Sequence, residues 1–269
     1  MHHTTKDIQY HINCKRGDLA QYLLIPGDPE RVSKIAKQWS NAKQVSSHRE
    51  FRAFTGTYKS VRVSATSSGI GPAAMSIVVN EAANIGVQTF IRVGSCGALQ
   101  KNIGCGDLII SSAAVRLDGT SNCYVMPEYP AVADYEVLLA LIEAAETLDV
   151  KYHVGITATA SDFYAGQARV SGKNFSAPRC ENLIQTLQKA NVLNFEMETA
   201  TLFVLCSLFG LKAGTVCAVY ANRATGKFEP YAGEEDCIKV ANEAVKILDS
   251  WNKKKRAKKK EWIFPSLLG

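Results

Sequence analysis

The sequence lacks any apolar run that could cross a membrane. Its most apolar long stretch, residues 199–211, falls well short of the roughly 18 to 20 residues that a membrane span needs. Residues 1–12 are polar and have no apolar stretch of the kind found in secretory signals. These two absences predict a cytoplasmic protein with no membrane partner.

The sequence also lacks the spacings of metal and redox sites. Its eight cysteines are scattered without a C-x-x-C pair, and its five histidines fit no zinc-ligand pattern. Nothing places a base beside a nucleophilic serine or cysteine. We therefore expect free thiols in a reducing compartment, and we predict no metal and no organic cofactor.

The sequence lacks net positive charge outside one end of the chain. Residues 253–260 contain seven cations and no acid, which leaves a formal charge of −1 for the rest of the net +6. A nucleic-acid-binding protein spreads its cations over a docking face, so no nucleic-acid partner is predicted. Hydrophobic residues make up 46% of the 269-residue chain, enough for one sizeable core.

Strand-like and helix-like segments alternate along the chain. Strands are predicted at residues 22–25, 61–65, 89–93, 107–115, 154–160 and 215–220. Helices are predicted at residues 31–39, 73–85, 135–148, 181–190, 196–209 and 234–251. The alternation predicts an α/β fold, a single domain with a central mixed, largely parallel sheet flanked by helices. We assign residues 1–252 to this domain and residues 253–269 to a basic C-terminal extension, expected to be solvated and mobile. The alternative is that Trp262, Ile263 and Phe264 pack onto the domain.

Three predicted loops at the carboxyl ends of strands carry residues that bind anions. They contain Gly27 with Arg31, Arg92 with Gly94 and Ser95, and Asn222 with Arg223. Each loop alone fits a tight turn with a surface charge. Arg92 lies inside an apolar segment, however, and a buried unpaired charge is costly. Since ligands of open α/β sheets bind where these loops meet, the set predicts a site for an anion such as phosphate.

Two glutamates, Glu196 and Glu198, lie two residues apart at the predicted start of a helix. At that spacing we expect only one of them to face a shared ligand. A carboxylate here could accept hydrogen bonds from the hydroxyls of a sugar, or it could complement the helix dipole. Both interpretations remain open from these residues alone.

An ordered set of motifs over residues 8–251 resembles the bacterial-type uridine phosphorylases of the nucleoside phosphorylase family. The motifs are PGDPERV, SHREF, FIRVGSCGA, VRLDG, YPAVADYE, FYAGQAR, FEMETATL and ANR. The resemblance implies a nucleoside phosphorylase-like fold and an enzyme of pyrimidine salvage that transfers a pentosyl group. Uridine and phosphate, the co-substrate, would give uracil and ribose 1-phosphate reversibly.

The resemblance also implies roles for individual residues. Phosphate would be bound by Gly27, Arg31, Arg92 and Ser95, with Arg49 from a neighbouring subunit. Ribose would be bound by Met197, Glu198 and the partner subunit's copy of His11. The base would be bound by Phe163, Gln167, Arg169 and Arg223. Catalysis would rest on Arg92, Glu198, Gln167 and Arg169, in a homo-oligomer, a dimer or a hexamer, with shared active sites.

Two positions, Ala73 and Asn222, differ from residues found in some members of the family. Some family members hold a monovalent cation with residues matching Glu50, Ile70 and a serine, but Ala73 replaces that serine here and argues against the cation. Asn222 stands where purine phosphorylases carry an aspartate that protonates the departing base, which favours a pyrimidine. The alternatives are a purine or broad-specificity nucleoside phosphorylase, or a non-catalytic nucleoside-binding protein on the same fold.

Overall fold

The computed structural model describes residues 8–178 and 182–268. The strands are β1 (Tyr22–Ile25), β2 (Ser40–His48), β3 (Phe51–Tyr58), β4 (Val61–Thr66), β5 (Thr89–Ala98), β6 (Leu108–Leu117), β7 (Ala131–Val132), β8 (Tyr152–Ala160), β9 (Asn194–Glu196) and β10 (Lys212–Asn222). The helices are α1 (Pro29–Ala36), α2 (Pro72–Asn84), α3 (Tyr135–Thr147), α4 (Leu183–Lys189), α5 (Thr199–Leu208), α6 (Glu234–Lys258) and α7 (Pro265–Leu268). No helix within these ranges is long and apolar enough to cross a bilayer.

The strands form one mixed sheet in the order β10-β6-β8-β9-β5-β1-β4-β3-β2, with β7 paired to β6. A further pairing of β10 with β5 closes β5, β10, β6, β8 and β9 into a ring. β1, β5 and β10 run parallel, so their carboxyl ends meet at one edge of the sheet. The predicted α/β fold with a mixed central sheet and flanking helices is confirmed.

β1 shows how the sheet is fixed between two layers of helices. All four of its residues are buried, and they alternate between the two faces. Tyr22 and Leu24 pack in the core formed with α1, α3 and α6, whereas Leu23 and Ile25 pack in the core formed with α2 and α5. Burial of each such side chain contributes about 1.5 to 3 kcal/mol. This anchoring gives the loop after Ile25 a rigid base.

Several strands escaped prediction because they lack apolar periodicity. β2 is mostly exposed and pairs only with β3 in an antiparallel ladder, and β9 has only three residues. The predicted helix start at Glu196 is wrong, since Glu196 ends β9 and α5 begins at Thr199. The seven cysteines in the described ranges carry free thiols. Cys180 and Glu181, the predicted start of α4, lie outside those ranges, as do residues 1–7.

The C-terminal segment packs against the domain, so the expectation of a solvated tail is wrong. α6 continues through Lys258 without a break at residue 252. The Nζ atom of Lys255 lies 2.7 Å from Oε2 of the buried Glu136, and the backbone amide of Ile263 donates to Oε1 at 3.0 Å. Ile263 and Leu267 join the main core. The sequence did not predict this packing, because Lys255 is one of a run of lysines and nothing in that run shows that it pairs with the buried Glu136.

Replacing Ile263 with alanine should therefore destabilise the protein. The Ile263 side chain is buried, and its truncation should lower the free energy of unfolding by about 2 kcal/mol or more, measured by urea denaturation. Trp262→Ala is the matched control, because Trp262 is larger but 53% exposed and should lose less than half as much. Equal stability of the wild type and Ile263→Ala would instead support a solvated C-terminal segment.

Candidate active site

A cavity of about 990 Å³ opens at the carboxyl ends of β1, β5 and β10. Ile25, the last residue of β1, pairs with Arg92 of β5, and Asn222, the last residue of β10, pairs with Ala98 at the end of β5. Arg92, Gly94 and Ser95 lie within β5, so the prediction of a loop at these residues is wrong, because the strand continues to Ala98 in its pairing with β10. Nine of the predicted site residues line this cavity: Gly27, Arg31, Arg92, Ser95, Phe163, Gln167, Arg169, Met197 and Glu198. Residues predicted separately for phosphate, sugar and base thus share one space.

Arg92 lies at the centre of a buried ion-pair cluster. Its Nε atom donates to Oε2 of Glu196 at 2.9 Å, and Nη2 lies 2.5 Å from Oε2 of Glu198. Only 5% of the Arg92 side chain is exposed. Burial alone would lower its pKa, but the two carboxylates raise it, so the guanidinium stays charged. Both glutamates therefore pair with the same guanidinium, although they lie only two residues apart.

Glu196 also caps the start of α5. Its Oε2 atom accepts hydrogen bonds from the backbone amides of Glu198 at 2.8 Å and Thr199 at 2.9 Å. Its Oε1 atom accepts from the Thr159 hydroxyl at 2.5 Å. The helix-dipole interpretation therefore applies to Glu196, which fixes the helix start that carries Glu198.

Glu198 faces the cavity with both of its oxygens engaged. Oε1 accepts from the backbone amide of Gly71 at 2.5 Å, while Oε2 pairs with Arg92. Burial raises the pKa of Glu198, Arg92 opposes this shift, and the nearby Glu196 carboxylate adds to it. A ligand hydroxyl that binds Glu198 must share it with Arg92 or displace that guanidinium.

Gly94 allows Arg92 to occupy its position. A Cβ atom at Gly94 would lie 2.7 Å from the Cys217 sulfur and 2.9 Å from Cζ of Arg92. Real Cβ atoms do not approach that closely, so only glycine fits between the two side chains. The first glycine of the V-G-S-C-G segment thus serves packing around the cation rather than a turn.

Gly94→Ala should displace Arg92 and weaken the binding of inorganic phosphate. Overpacking of this kind costs about 1 to 3 kcal/mol of folding free energy. Gly97→Ala is the matched control on the same strand, because its Cβ would meet no atom closer than 3.8 Å. Urea denaturation and phosphate titration calorimetry would measure both effects. Wild-type stability and phosphate affinity in Gly94→Ala would refute this role.

Three further predicted phosphate ligands, Gly27, Ser95 and Arg31, line the cavity with Arg92. Gly27 packs against the Gly69 carbonyl, where a Cβ would approach to 3.1 Å. The Ser95 hydroxyl makes no hydrogen bond with any residue in the described ranges, so it is free to donate into the cavity. Arg31 is buried and held by Glu234, Tyr220 and a backbone carbonyl. This side of the cavity offers donors suited to an oxyanion.

The base side carries two arginines without an acidic partner among the described residues. Arg169 stacks on the Phe163 ring at 4.3 Å from Cζ to the centroid, and its buried Nε has no hydrogen-bond partner there. Burial lowers the pKa of Arg169. Burial, with the charge of Arg169, lowers the pKa of Arg223 to about 10. Two such uncompensated cations favour a ligand that accepts hydrogen bonds or gains negative charge.

Arg223 lies behind the cavity wall rather than on it. Its Nη1 atom donates to the backbone carbonyl of Gln167 at 3.1 Å, so it supports the loop that carries the buried Gln167 amide. That amide makes no hydrogen bond with any described residue and lines the cavity. A ligand base could therefore donate a hydrogen bond to the amide oxygen of Gln167 and accept one from its amide nitrogen.

Asn222 is fully used in holding its own loop. Its Nδ2 atom donates to the carbonyls of Gln100 at 2.9 Å and Ile103 at 2.6 Å. Its Oδ1 atom accepts from the amides of Ala224 and Thr225. An aspartate here would set a carboxylate oxygen against two carbonyl oxygens, so this position cannot simply exchange its amide for an acid.

Asn222→Asp should lower the free energy of unfolding by about 1 to 3 kcal/mol, since it leaves buried carbonyls unpaired. The substitution should also disturb the position of Arg223, the next residue, against the Gln167 carbonyl. It should not enable the enzyme to cleave inosine. Asn102→Asp, at an exposed position on the loop after β5, should leave stability unchanged. Urea denaturation with a purine assay checks both statements. A stable Asn222→Asp protein that cleaves inosine would contradict this account.

His11 and Arg49, like Arg223, are predicted site residues that do not line this cavity. His11 Nδ1 lies 2.6 Å from Oε1 of Glu81, and the exposed Arg49 lies over the Tyr10 ring. The two residues form a separate edge cluster joined through His48, whose Nδ1 lies 3.0 Å from the His11 carbonyl. Their placement in a neighbour's site stays a prediction. Within the described ranges, no three His, Cys, Asp or Glu side chains are grouped to hold a metal.

Tyr220, Glu234 and Phe228 escaped sequence analysis. Tyr220 and Phe228 line the cavity, and Glu234 begins α6 beside Arg31. Tyr220 lies in an apolar strand and resembles an ordinary core residue in sequence. The separation of about 200 residues between Arg31 and Glu234 gives no local signal that they meet.

The sequence matches known proteins over most of its length. Residues 21–250 match the family model described as the phosphorylase superfamily. The chain is 55% identical to a uridine phosphorylase of Thermococcus kodakarensis, over 96% of this chain and 94% of that protein. It is 38% identical to a uridine phosphorylase of Escherichia coli, over 91% of this chain and 96% of that protein. It is 34% identical to a guanosine phosphorylase of Halorubrum lacusprofundi, over 88% and 93%. The chain therefore belongs to the phosphorylase superfamily.

Proposed function

We propose that this protein is a uridine phosphorylase, a pentosyltransferase that converts uridine and phosphate reversibly to uracil and ribose 1-phosphate. The 38 to 55% identity to proteins of that name supports the proposal. The main structural support is the arrangement of Arg92 and Arg169 at opposite ends of one cavity. Gly94 lies against Arg92 and Gly97 against Arg169, so an anion end and a base end are three residues, or about 10 Å, apart along β5. A ribose ring fits between them.

Phosphate occupies the anion end in the proposed reaction. Arg92, Arg31 and the Ser95 hydroxyl bind its oxygens, and the strand-to-helix loop at Gly27 adds a backbone donor. One phosphate oxygen bonds to C1′ of the ribose as the C1′–N1 bond breaks. The electron pair of that bond leaves with uracil, which later takes up a proton. No covalent enzyme intermediate is needed.

Glu198 stabilises the sugar as it gains positive charge. Phosphate that binds Nη2 of Arg92 competes with the Glu198 carboxylate for the same donor. The released carboxylate can then accept from the ribose hydroxyls while its negative charge favours the cationic transition state. Phosphate binding and sugar binding are linked in this way through one ion pair.

Gln167 and Arg169 receive the leaving base. Uracil presents two carbonyl acceptors on either side of an N3–H donor, which match an amide that both donates and accepts and a guanidinium that donates. The negative charge that develops on uracil is favoured by the uncompensated Arg169 and by Arg223 behind it. Cytosine reverses the donor pattern at N3 and N4, and Asn222 offers no acid to protonate a purine.

The active sites are shared between subunits in this proposal. Arg49 and His11 do not line the cavity of their own chain, and they would complete the phosphate and ribose sites of a partner. We therefore propose a homo-oligomer built from dimers. We place the reaction in the cytoplasm, with no metal or organic cofactor in the chemistry and no monovalent cation required.

Release of uracil from uridine should depend strictly on phosphate, as measured by chromatography with and without phosphate. Arg92→Ala should reduce kcat/KM for phosphate by at least about tenfold to a hundredfold, since a hydrogen bond to a charged group is worth about 1.5 to 3 kcal/mol. Mixing inactive Arg49→Ala and Glu198→Ala proteins should restore part of the activity if sites are shared. Uracil release without phosphate would instead indicate a hydrolase, and no release at all a binding protein.

The same assay decides the base. Uridine should be cleaved by a factor of about 10⁴ or more faster than cytidine, because the wrong base leaves buried polar groups unpaired. Inosine and guanosine test the purine alternative. Guanosine is included because one relative is a guanosine phosphorylase. Comparable turnover of guanosine and uridine would overturn the pyrimidine assignment and keep the phosphorylase.

A further inference from the structure

Arg31 is held more rigidly than its place on the cavity wall requires. Its Nε atom donates to Oε2 of Glu234 at 2.8 Å, Nη2 donates to the Tyr220 hydroxyl at 3.0 Å, and Nη1 donates to the Val93 carbonyl at 3.2 Å. The Tyr220 hydroxyl in turn donates to Oε2 of Glu234 at 2.7 Å. Arg31, Tyr220 and Glu234 therefore form a closed hydrogen-bonded triangle, the Arg31 triangle.

The Tyr220 corner of the triangle depends on an irregularity in β10. The register of β10 against β5 shifts between Val219 and Ala221, which leaves Tyr220 as an extra residue opposite the junction of Cys96 and Gly97. A β-bulge of this kind re-aims a side chain that the strand would otherwise pack on a sheet face. Tyr220 lies on the cavity wall as a result. Burial raises the pKa of its hydroxyl, so Tyr220 keeps the proton that it donates to Glu234.

The Glu234 corner is fixed by the start of α6. Gly233 precedes it with a φ of 70°, and a Cβ there would lie 2.3 Å from the Gly106 carbonyl oxygen, so only glycine fits. Oε1 of Glu234 also binds Nζ of Lys34 at 2.5 Å. Burial acts to raise the pKa of Glu234, but hydrogen bonds from Lys34 and Tyr220 hold it below its ordinary value. The carboxylate is thus ionised at neutral pH.

We propose that Tyr220 and Glu234 are positioning residues for phosphate, which act by orienting Arg31. A guanidinium has five N–H groups, and three of those on Arg31 are taken by Glu234, Tyr220 and Val93. One N–H remains on each terminal nitrogen, the number needed to bind two oxygens of one phosphate. The inference rests on the proposed phosphorolysis. The three hydrogen bonds to Arg31 would fix the orientation in which its guanidinium binds phosphate.

Loss of either corner should raise the KM for phosphate without an equal change in the KM for uridine. Glu234→Gln keeps an acceptor oxygen but removes the charge, and we expect the KM for phosphate to rise about tenfold. Tyr220→Phe removes only one hydroxyl and should give a smaller rise of about threefold. For both variants, the KM for uridine and kcat at saturating phosphate should stay within about twofold of the wild type. A loop defect near the base would raise the KM for uridine as well.

Glu235→Gln is the matched control for charge and position. Glu235 follows Glu234 in the first turn of α6, but its side chain is 78% exposed and pairs with Lys239 on the same helix. Its variant should have wild-type kinetics. Melting curves of all variants would show whether Glu234→Gln folds, and Tyr220→Phe serves if it does not.

Coupling to Arg31 provides the decisive comparison. If Glu234 acts through Arg31, adding Glu234→Gln to Arg31→Ala should change the KM for phosphate by less than about twofold. A tenfold effect that persists without Arg31, or unchanged phosphate KM values in both Glu234→Gln and Tyr220→Phe, would overturn the positioning role. If Arg31→Ala itself leaves the KM for phosphate unchanged, the phosphate site is misassigned and the inference falls with it. Absence of phosphate-dependent cleavage in the wild type would instead refute the proposed function.

Discussion

The burial of one guanidinium, that of Arg92, constrains much of this structure. An arginine in the middle of a parallel strand is tolerated only with close carboxylate partners, and Glu196 and Glu198 supply them from the junction of β9 and α5. Gly94 leaves room for the side chain, and Thr159 and the start of α5 hold Glu196. The pairing of β9 with both β5 and β8 brings these groups together.

Closure of the ring of strands through β5 and β10 explains why phosphate, sugar and base groups share one cavity. The strand β5 contributes the anion end through Arg92 and Ser95, and β10 leads into the loop that supports the base end. Because both strands are buried, the positions of their carboxyl ends do not depend on a ligand. In the free protein, the Glu198 carboxylate is held in an ion pair with Arg92. In the proposed mechanism, phosphate takes its place on Arg92 and frees the carboxylate for the sugar.

Apolar periodicity was sufficient to predict β1, β6, α2 and α3 and the α/β class, because these elements bury one face or two. It failed for β2, which is mostly exposed and pairs with β3. It also failed for the C-terminal segment, where the buried Lys255–Glu136 pair looks in sequence like solvated charge. The site residues followed from ordered motifs. Glu234 and the bulged Tyr220 did not, since their roles arise from contacts distant in sequence and from a register shift.

Phosphate titration calorimetry on Glu198→Gln, without nucleoside, tests the linkage through Arg92 most directly. Removal of the carboxylate that occupies Nη2 of Arg92 should tighten phosphate binding by about tenfold, or about 1.4 kcal/mol, although turnover falls. Glu50→Gln controls for charge alone, because Glu50 lines the same cavity and makes no ion pair with Arg92, and its effect should be much smaller. Unchanged or weaker phosphate binding in Glu198→Gln would contradict the account.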